Sequence, residues 1–209
     1  MQHFEELPLI GILRGADTPA VEAAVSAALA GGLRTLEITL NRPEACEQIA
    51  LLKARHGDEL TLGAGTVVDT DGANRAVAAG AEFIVTPALV PEVVQLCLAR
   101  QVPVFPGAMT PTEILAAHHA GATMVKLFPA AALGPGYLKA LQGPLPQIKL
   151  IPTGGVSLPS VPLYFQAGAA AVGVGGELFK KEWMAAGDWA AIERTAAAYV
   201  KAVKKAITR

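Results

Sequence analysis

A chain of 209 residues, 52% of them hydrophobic, is long enough for one sizeable domain with a substantial core. Its formal net charge of −1 argues against a nucleic-acid partner, which would usually require a basic surface. Two cysteines, Cys46 and Cys97, have no metal-ligand spacing and read as small core residues of a reducing cytoplasm, the expected location.

The opening, MQHFEELPLIG, carries acidic residues where a signal peptide would be basic. The first strand is expected in LPLIGILRG, followed by the alanine-rich helical stretch AVEAAVSAALA. Further strands are predicted in AGGLRTLEITL, LTLGAGTV, AAGAEFIVTP, VPVFPGAM, HAGATMVKLFP, KLIPTGG and QAGAAAVGVGG. Between them run helical segments, several with proline at the predicted first position: Pro19, Pro43, Pro91, Pro111 and Pro159. TPTE at 110–113 is a capping box. The longest uncharged run, 150–176, is broken by Pro152, Pro159, Pro162 and six glycines, so no membrane span is expected. The final helix, around GDWAAIERTAAAYVKAV, leads into the basic VKAVKKAITR. That run reads as a solvated last turn complementing the helix dipole.

Four of these segments repeat one pattern: a helix-closing glycine, a short turn and a buried strand. The glycines are Gly32, Gly80, Gly121 and Gly168, spaced by 48, 41 and 47 residues. Eight strands alternating with helices predict a parallel sheet, and the repeats favour closure into a (β/α)8 TIM barrel of one domain, 1–209. A doubly wound sheet is the alternative, although no G-x-G-x-x-G follows the first strand.

Five residues beyond each repeat glycine stand Glu37, Val85, Lys126 and Gly173. Alternate strands of a barrel supply side chains to one interior layer, so an acid and a lysine meet there beside two small residues. Two residues further on, towards the C-terminal mouth, come Thr39, Pro87, Phe128 and Gly175. Lys126 sits within the apolar run MVKLF, where burial disfavours its charged form. A structural explanation is a buried Glu37–Lys126 salt bridge. The chemical one is an amine able to attack a carbonyl as a Schiff-base nucleophile, with a carboxyl to move protons. The four histidines do not form a ligand cluster, so neither a metal nor another cofactor is expected.

PTGGV at 152–156 and GVGG at 173–176 end strands seven and eight in glycine pairs. Backbone amides there can approach a phosphate closely. Arg14 and Thr66 end strands one and three, where a guanidinium fork and a hydroxyl can hold a carboxylate. For Arg14 the alternative is a rim salt bridge; for Thr66 it is a backbone contact.

The segments GILRG, LEITL, GAGTV, FIVTP, PVFPGAMTPTE, VKLFPA, PTGGV and GVGG, in order from Leu9 to about Phe179, resemble the 2-keto-3-deoxy-6-phosphogluconate / 4-hydroxy-2-oxoglutarate aldolase family. The resemblance implies a class I, metal-free aldolase, usually a homotrimer. By that resemblance Lys126 is the Schiff-base lysine, Glu37 the general acid/base, and Arg14 and Thr66 bind the pyruvyl carboxylate. Gly154, Gly155, Val156, Gly175 and Gly176 match the phosphate site, and Pro87 and Phe128 wall the cavity. The implied substrates are a phosphorylated keto-sugar acid and pyruvate.

Asn41 stands where many gluconate-type members have arginine and resembles the 6-phosphogalactonate branch; Thr39 stands where that branch often has proline. Position 41 is therefore expected to bear on selectivity between the C4 epimers. Glu177 follows the last glycine pair where serine or threonine is frequent, so either its carboxylate turns away from a bound phosphate or the phosphate contributes less than usual. Rival expectations are a thiamine-phosphate-synthase-like transferase and a non-catalytic sugar-phosphate-binding barrel. The first has no need of a Schiff-base lysine on strand six, and intact Lys126 and Glu37 argue against the second.

Overall fold

The computed structural model describes residues 1–208. There are nine strand segments, with helices between all of them except β5 and β6: β1 Leu9–Leu13, β2 Thr35–Thr39, β3 Thr61–Gly65, β4 Ile84–Val85, β5 Val104–Phe105, β6 Gly107–Ala108, β7 Val125–Leu127, β8 Leu150–Pro152 and β9 Val172–Val174. The helices are α1 Gln2–Glu6, α2 Thr18–Ala30, α3 Ala45–His56, α4 Thr70–Ala78, α5 Pro91–Ala99, α6 Pro111–His119, α7 Ala130–Gln142, α8 Val161–Gln166, α9 Lys181–Ala186 and α10 Trp189–Ile207.

All strand pairings are parallel. One sheet has the order β5-β4-β3-β2-β1-β9 and the other β6-β7-β8. The sequence predicts one fifth strand; two short segments form because Pro106 interrupts it and offers no N–H to a ladder. The halves pair to opposite sides, β5 with β4 and β6 with β7, so the two sheets are continuous through Pro106. Their other edges meet at an isolated parallel bridge between Thr153 and Gly173. The fold is thus α/β, with parallel sheets curled around a shared interior.

The repeat glycines do what their spacing predicts. Gly32, Gly80, Gly121 and Gly168 have φ of 88°, 100°, 103° and 98°, a left-handed conformation that turns the chain from helix to strand without a Cβ penalty. The TPTE capping box forms, with Thr110 and Glu113 satisfying each other's amides. Pro91 and Pro111 open α5 and α6, and Pro19 sits at the second position of α2. Pro43 does not open a helix. A turn comes first, in which the Ala45 N–H donates to the Arg42 carbonyl at 3.2 Å, and α3 starts at Ala45. Pro159 likewise lies in a 3-10 turn, Leu158–Ser160, ahead of α8.

Strand side chains divide between two cores. Outward-facing residues such as Leu36, Ile38, Val125 and Leu127 pack with the helices in the large cluster. A smaller cluster of Phe4, Ile10, Ile12, Phe83, Val85, Phe105, Ile151 and Ala171 fills the concave side. Phe4 comes from α1, a helix with no clear signal in the acidic opening segment; its ring lies 5.8 Å from that of Phe105.

Candidate active site

Lys126 is the middle residue of β7. Its neighbours Val125 and Leu127 face the helices, so strand alternation turns Lys126 into the interior, where it is 5% exposed. Glu37, in the middle of β2, is 1% exposed. Both line one small cavity of about 10 Å³, together with Ile10, Ile12, Val85, Phe105, Ile151, Thr153 and Gly173. That volume is at the threshold for a single water. All four residues singled out by the repeat register, Glu37, Val85, Lys126 and Gly173, are therefore cavity neighbours.

The direct Glu37–Lys126 salt bridge does not form: four ion pairs occur among the described residues, and none contains either group. Burial pushes the Lys126 amine below the ordinary lysine value, an effect that the Glu37 charge opposes and Arg14 reinforces. Burial pushes the Glu37 carboxyl above the ordinary carboxylate value, with Lys126 and Arg14 opposing. Both shifts favour an uncharged amine facing a protonated acid. Glu37 Oε1 has no hydrogen-bond partner, and a side chain at Gly65 would overlap it. The absence of a Cβ at Gly65 is what leaves room for the carboxyl.

Around the next layer the residues diverge. Phe128 is exposed, and its ring centroid lies 4.9 Å from the Lys126 Nζ, a cation–π distance when the amine is protonated. Pro87 and Gly175 are half-buried. Thr39 is buried, and its hydroxyl turns to the Leu13 carbonyl at 3.4 Å. Arg14, exposed after β1, donates from Nη1 to Asn41 Oδ1 at 3.0 Å. Thr66, half-buried after β3, has φ of 58°, a left-handed conformation uncommon for a threonine.

After β8, Gly154 and Gly155 have φ of 87° and 79°. A Cβ on Gly154 would press on the Phe128 ring at 3.0 Å. The Thr153 and Gly154 carbonyls accept from the Ala130 and Ala131 amides, and the Val156 carbonyl accepts from the Tyr199 hydroxyl at 3.1 Å. By contrast, the amides of Gly155, Val156, Gly175 and Gly176 donate to no protein acceptor among the described residues. Glu177 is exposed beside them.

Thr153 is a polar cavity residue that the repeat register does not reach, since no repeat glycine precedes β8. The available signal was a hydroxyl between the apolar KLIP strand and the Gly154–Gly155 pair. None of the four histidines lines the cavity. No group of three or more His, Cys, Asp or Glu suited to a metal occurs among the described residues.

Residues 1–195 match the family model for KDPG and KHG aldolase. The chain is 37% identical over 211 residues to the 2-dehydro-3-deoxy-6-phosphogalactonate aldolase of Escherichia coli strain K12, covering 99% of this chain and 100% of that protein. It is 39% identical over 189 residues to the 2-dehydro-3-deoxy-phosphogluconate aldolase of Pseudomonas aeruginosa, covering 90% and 84%. The fold superposes with a TM-score of 0.87 and 31% identity on KDPG aldolase from Legionella pneumophila, covering 94% and 96%. That crystal structure holds pyruvate captured at low pH as a covalent carbinolamine intermediate. The chain belongs to the KDPG and KHG aldolase family.

Proposed function

We propose that this protein is a class I aldolase that reversibly cleaves 2-dehydro-3-deoxy-6-phosphogluconate to pyruvate and D-glyceraldehyde 3-phosphate, with 4-hydroxy-2-oxoglutarate as a further substrate. The observation that carries this reading is the buried Lys126 amine facing the unpartnered Glu37 carboxyl across one cavity. Lys126 Nζ adds to the C2 ketone, and protonated Glu37 gives its proton to the departing carbinolamine hydroxyl. The carboxylate so formed takes the proton of the C4 hydroxyl while the C3–C4 bonding pair moves into the iminium. The aldehyde leaves, the enamine is reprotonated at C3, and water hydrolyses the imine to free pyruvate and Lys126.

Arg14 and Thr66 are assigned to the pyruvyl carboxylate, and the free amides of the two glycine loops to the phosphate. Pro87 and Phe128 serve as walls. In this reading the two sheets, continuous through Pro106 and bridged at Thr153–Gly173, are one eight-stranded (β/α)8 barrel forming a single domain. The family resemblance extends to a homotrimer. Two free cysteines suit a cytoplasmic protein.

A second reading, cleavage of the 6-phosphogalactonate epimer, is favoured by full-length similarity to the Escherichia coli enzyme and by Asn41. A coupled assay of pyruvate release, run with both epimers and hydroxyoxoglutarate, tests the activity. Cleavage of both epimers is expected, with the gluconate form preferred. Pyruvate with borohydride should leave a stable adduct on Lys126. An adduct elsewhere, or none in an active preparation, would overturn the assignment.

A further inference from the structure

Arg14 has a demanding task in this reading. It stands exposed just beyond β1, yet it must present its guanidinium in a fixed fork to a small carboxylate. An arginine side chain free in solvent carries rotamer entropy, which binding would have to overcome. Its one hydrogen-bond partner among the described residues is Asn41, whose Oδ1 accepts from Nη1 at 3.0 Å. The strands bring the two together. Leu13 pairs with Ile38, so the chain leaves β1 and β2 side by side, and the Thr39 hydroxyl turns back to the Leu13 carbonyl.

We propose that Asn41 is a positioning residue for Arg14: it holds the guanidinium in place for the substrate carboxylate. The chemistry of the amide fits that task. A neutral oxygen uses one of the five guanidinium N–H groups and leaves the rest for a ligand. It also leaves the positive charge unneutralised, whereas an aspartate in its place would pair with Arg14 and compete with the substrate carboxylate.

The proposal rests on the roles assigned above to Arg14 and Lys126, and its test separates the two. Borohydride trapping at Lys126 is titrated with pyruvate and, in parallel, with acetone, a ketone without a carboxylate. The proteins are wild type, Asn41→Ala, Arg14→Ala and the double variant. Asn41→Ala should raise the half-saturating pyruvate concentration about 3- to 10-fold, the effect of one hydrogen bond of ordinary net strength at an exposed site. Acetone trapping should stay unchanged. In the Arg14→Ala background, Asn41→Ala should add nothing, because the contact is already gone. Unchanged pyruvate trapping in Asn41→Ala, equal losses with pyruvate and acetone, or independent effects of the two substitutions would overturn the proposal while Arg14 keeps its role. Wild type without an adduct on Lys126, or Arg14→Ala with normal pyruvate trapping, would instead overturn the underlying site reading and the proposal with it.

Discussion

At the scale of single residues the site is a matter of desolvation. Lys126 and Glu37 are both nearly inaccessible, and burial moves them in opposite directions, towards neutrality. Because the Lys126 value lies below 10.5, the uncharged amine is present above that lowered value and lost as the pH falls through it. Pyruvate trapping should therefore rise with pH around a midpoint below 10.5, measurable as adduct formed per unit time. Glu37→Gln removes the charge that opposes the shift, so the midpoint should move lower still. The same variant keeps the shape of the side chain and loses its proton, so turnover should fall by about 100-fold or more while trapping persists. Gly65→Ala tests the space around the carboxyl. Its new Cβ would overlap Glu37 Oε1, and displacement of a reacting group by about 1 Å costs on the order of 100-fold in rate. Steady-state kinetics with a parallel thermal melt would distinguish that loss from unfolding.

At the scale of elements, the concave side of the sheets needs a stopper as well as a mouth. The five-residue helix α1 supplies Phe4, which joins Phe83 and Phe105 in the inner cluster. Phe4 does not line the cavity holding Lys126. Phe4→Ala should therefore lower stability by about 3 kcal/mol, read from denaturant unfolding, while turnover of the folded enzyme is retained. A comparable loss of turnover in fully folded protein would place α1 in the site. The helix-to-strand turns were legible in sequence because a left-handed glycine is a local requirement, and all four repeat glycines meet it. The division of the fifth strand was less legible. Pro106 breaks the ladder, but which neighbour each half joins depends on the curl of the sheets.

At the scale of the whole molecule, the proposed iminium on Lys126 would supply the electron sink for C–C cleavage, and such a reaction needs no Lewis acid. Exhaustive chelation should leave pyruvate release unchanged. A loss restored by adding a divalent ion would replace the Schiff-base mechanism. Much of the layout behind this chemistry follows from local rules. Period-two alternation turns Lys126 and Glu37 to the same face, and the glycine spacing puts Val85 and Gly173 in their layer. The glycine pairs after β8 and β9 mark loops with free amides. Other features depended on how distant strands meet. Sequence offered a salt bridge for Glu37 and Lys126, and only the packed interior separates them with a small cavity. Thr153 joins that cavity, Phe4 closes beneath Phe105, and Arg14 finds Asn41 rather than standing free. Alternation and turn preference act over a few neighbouring residues, so they can be read along the chain. The curvature that sets one strand's end beside another's is a property of the assembled sheets, and it decided these contacts.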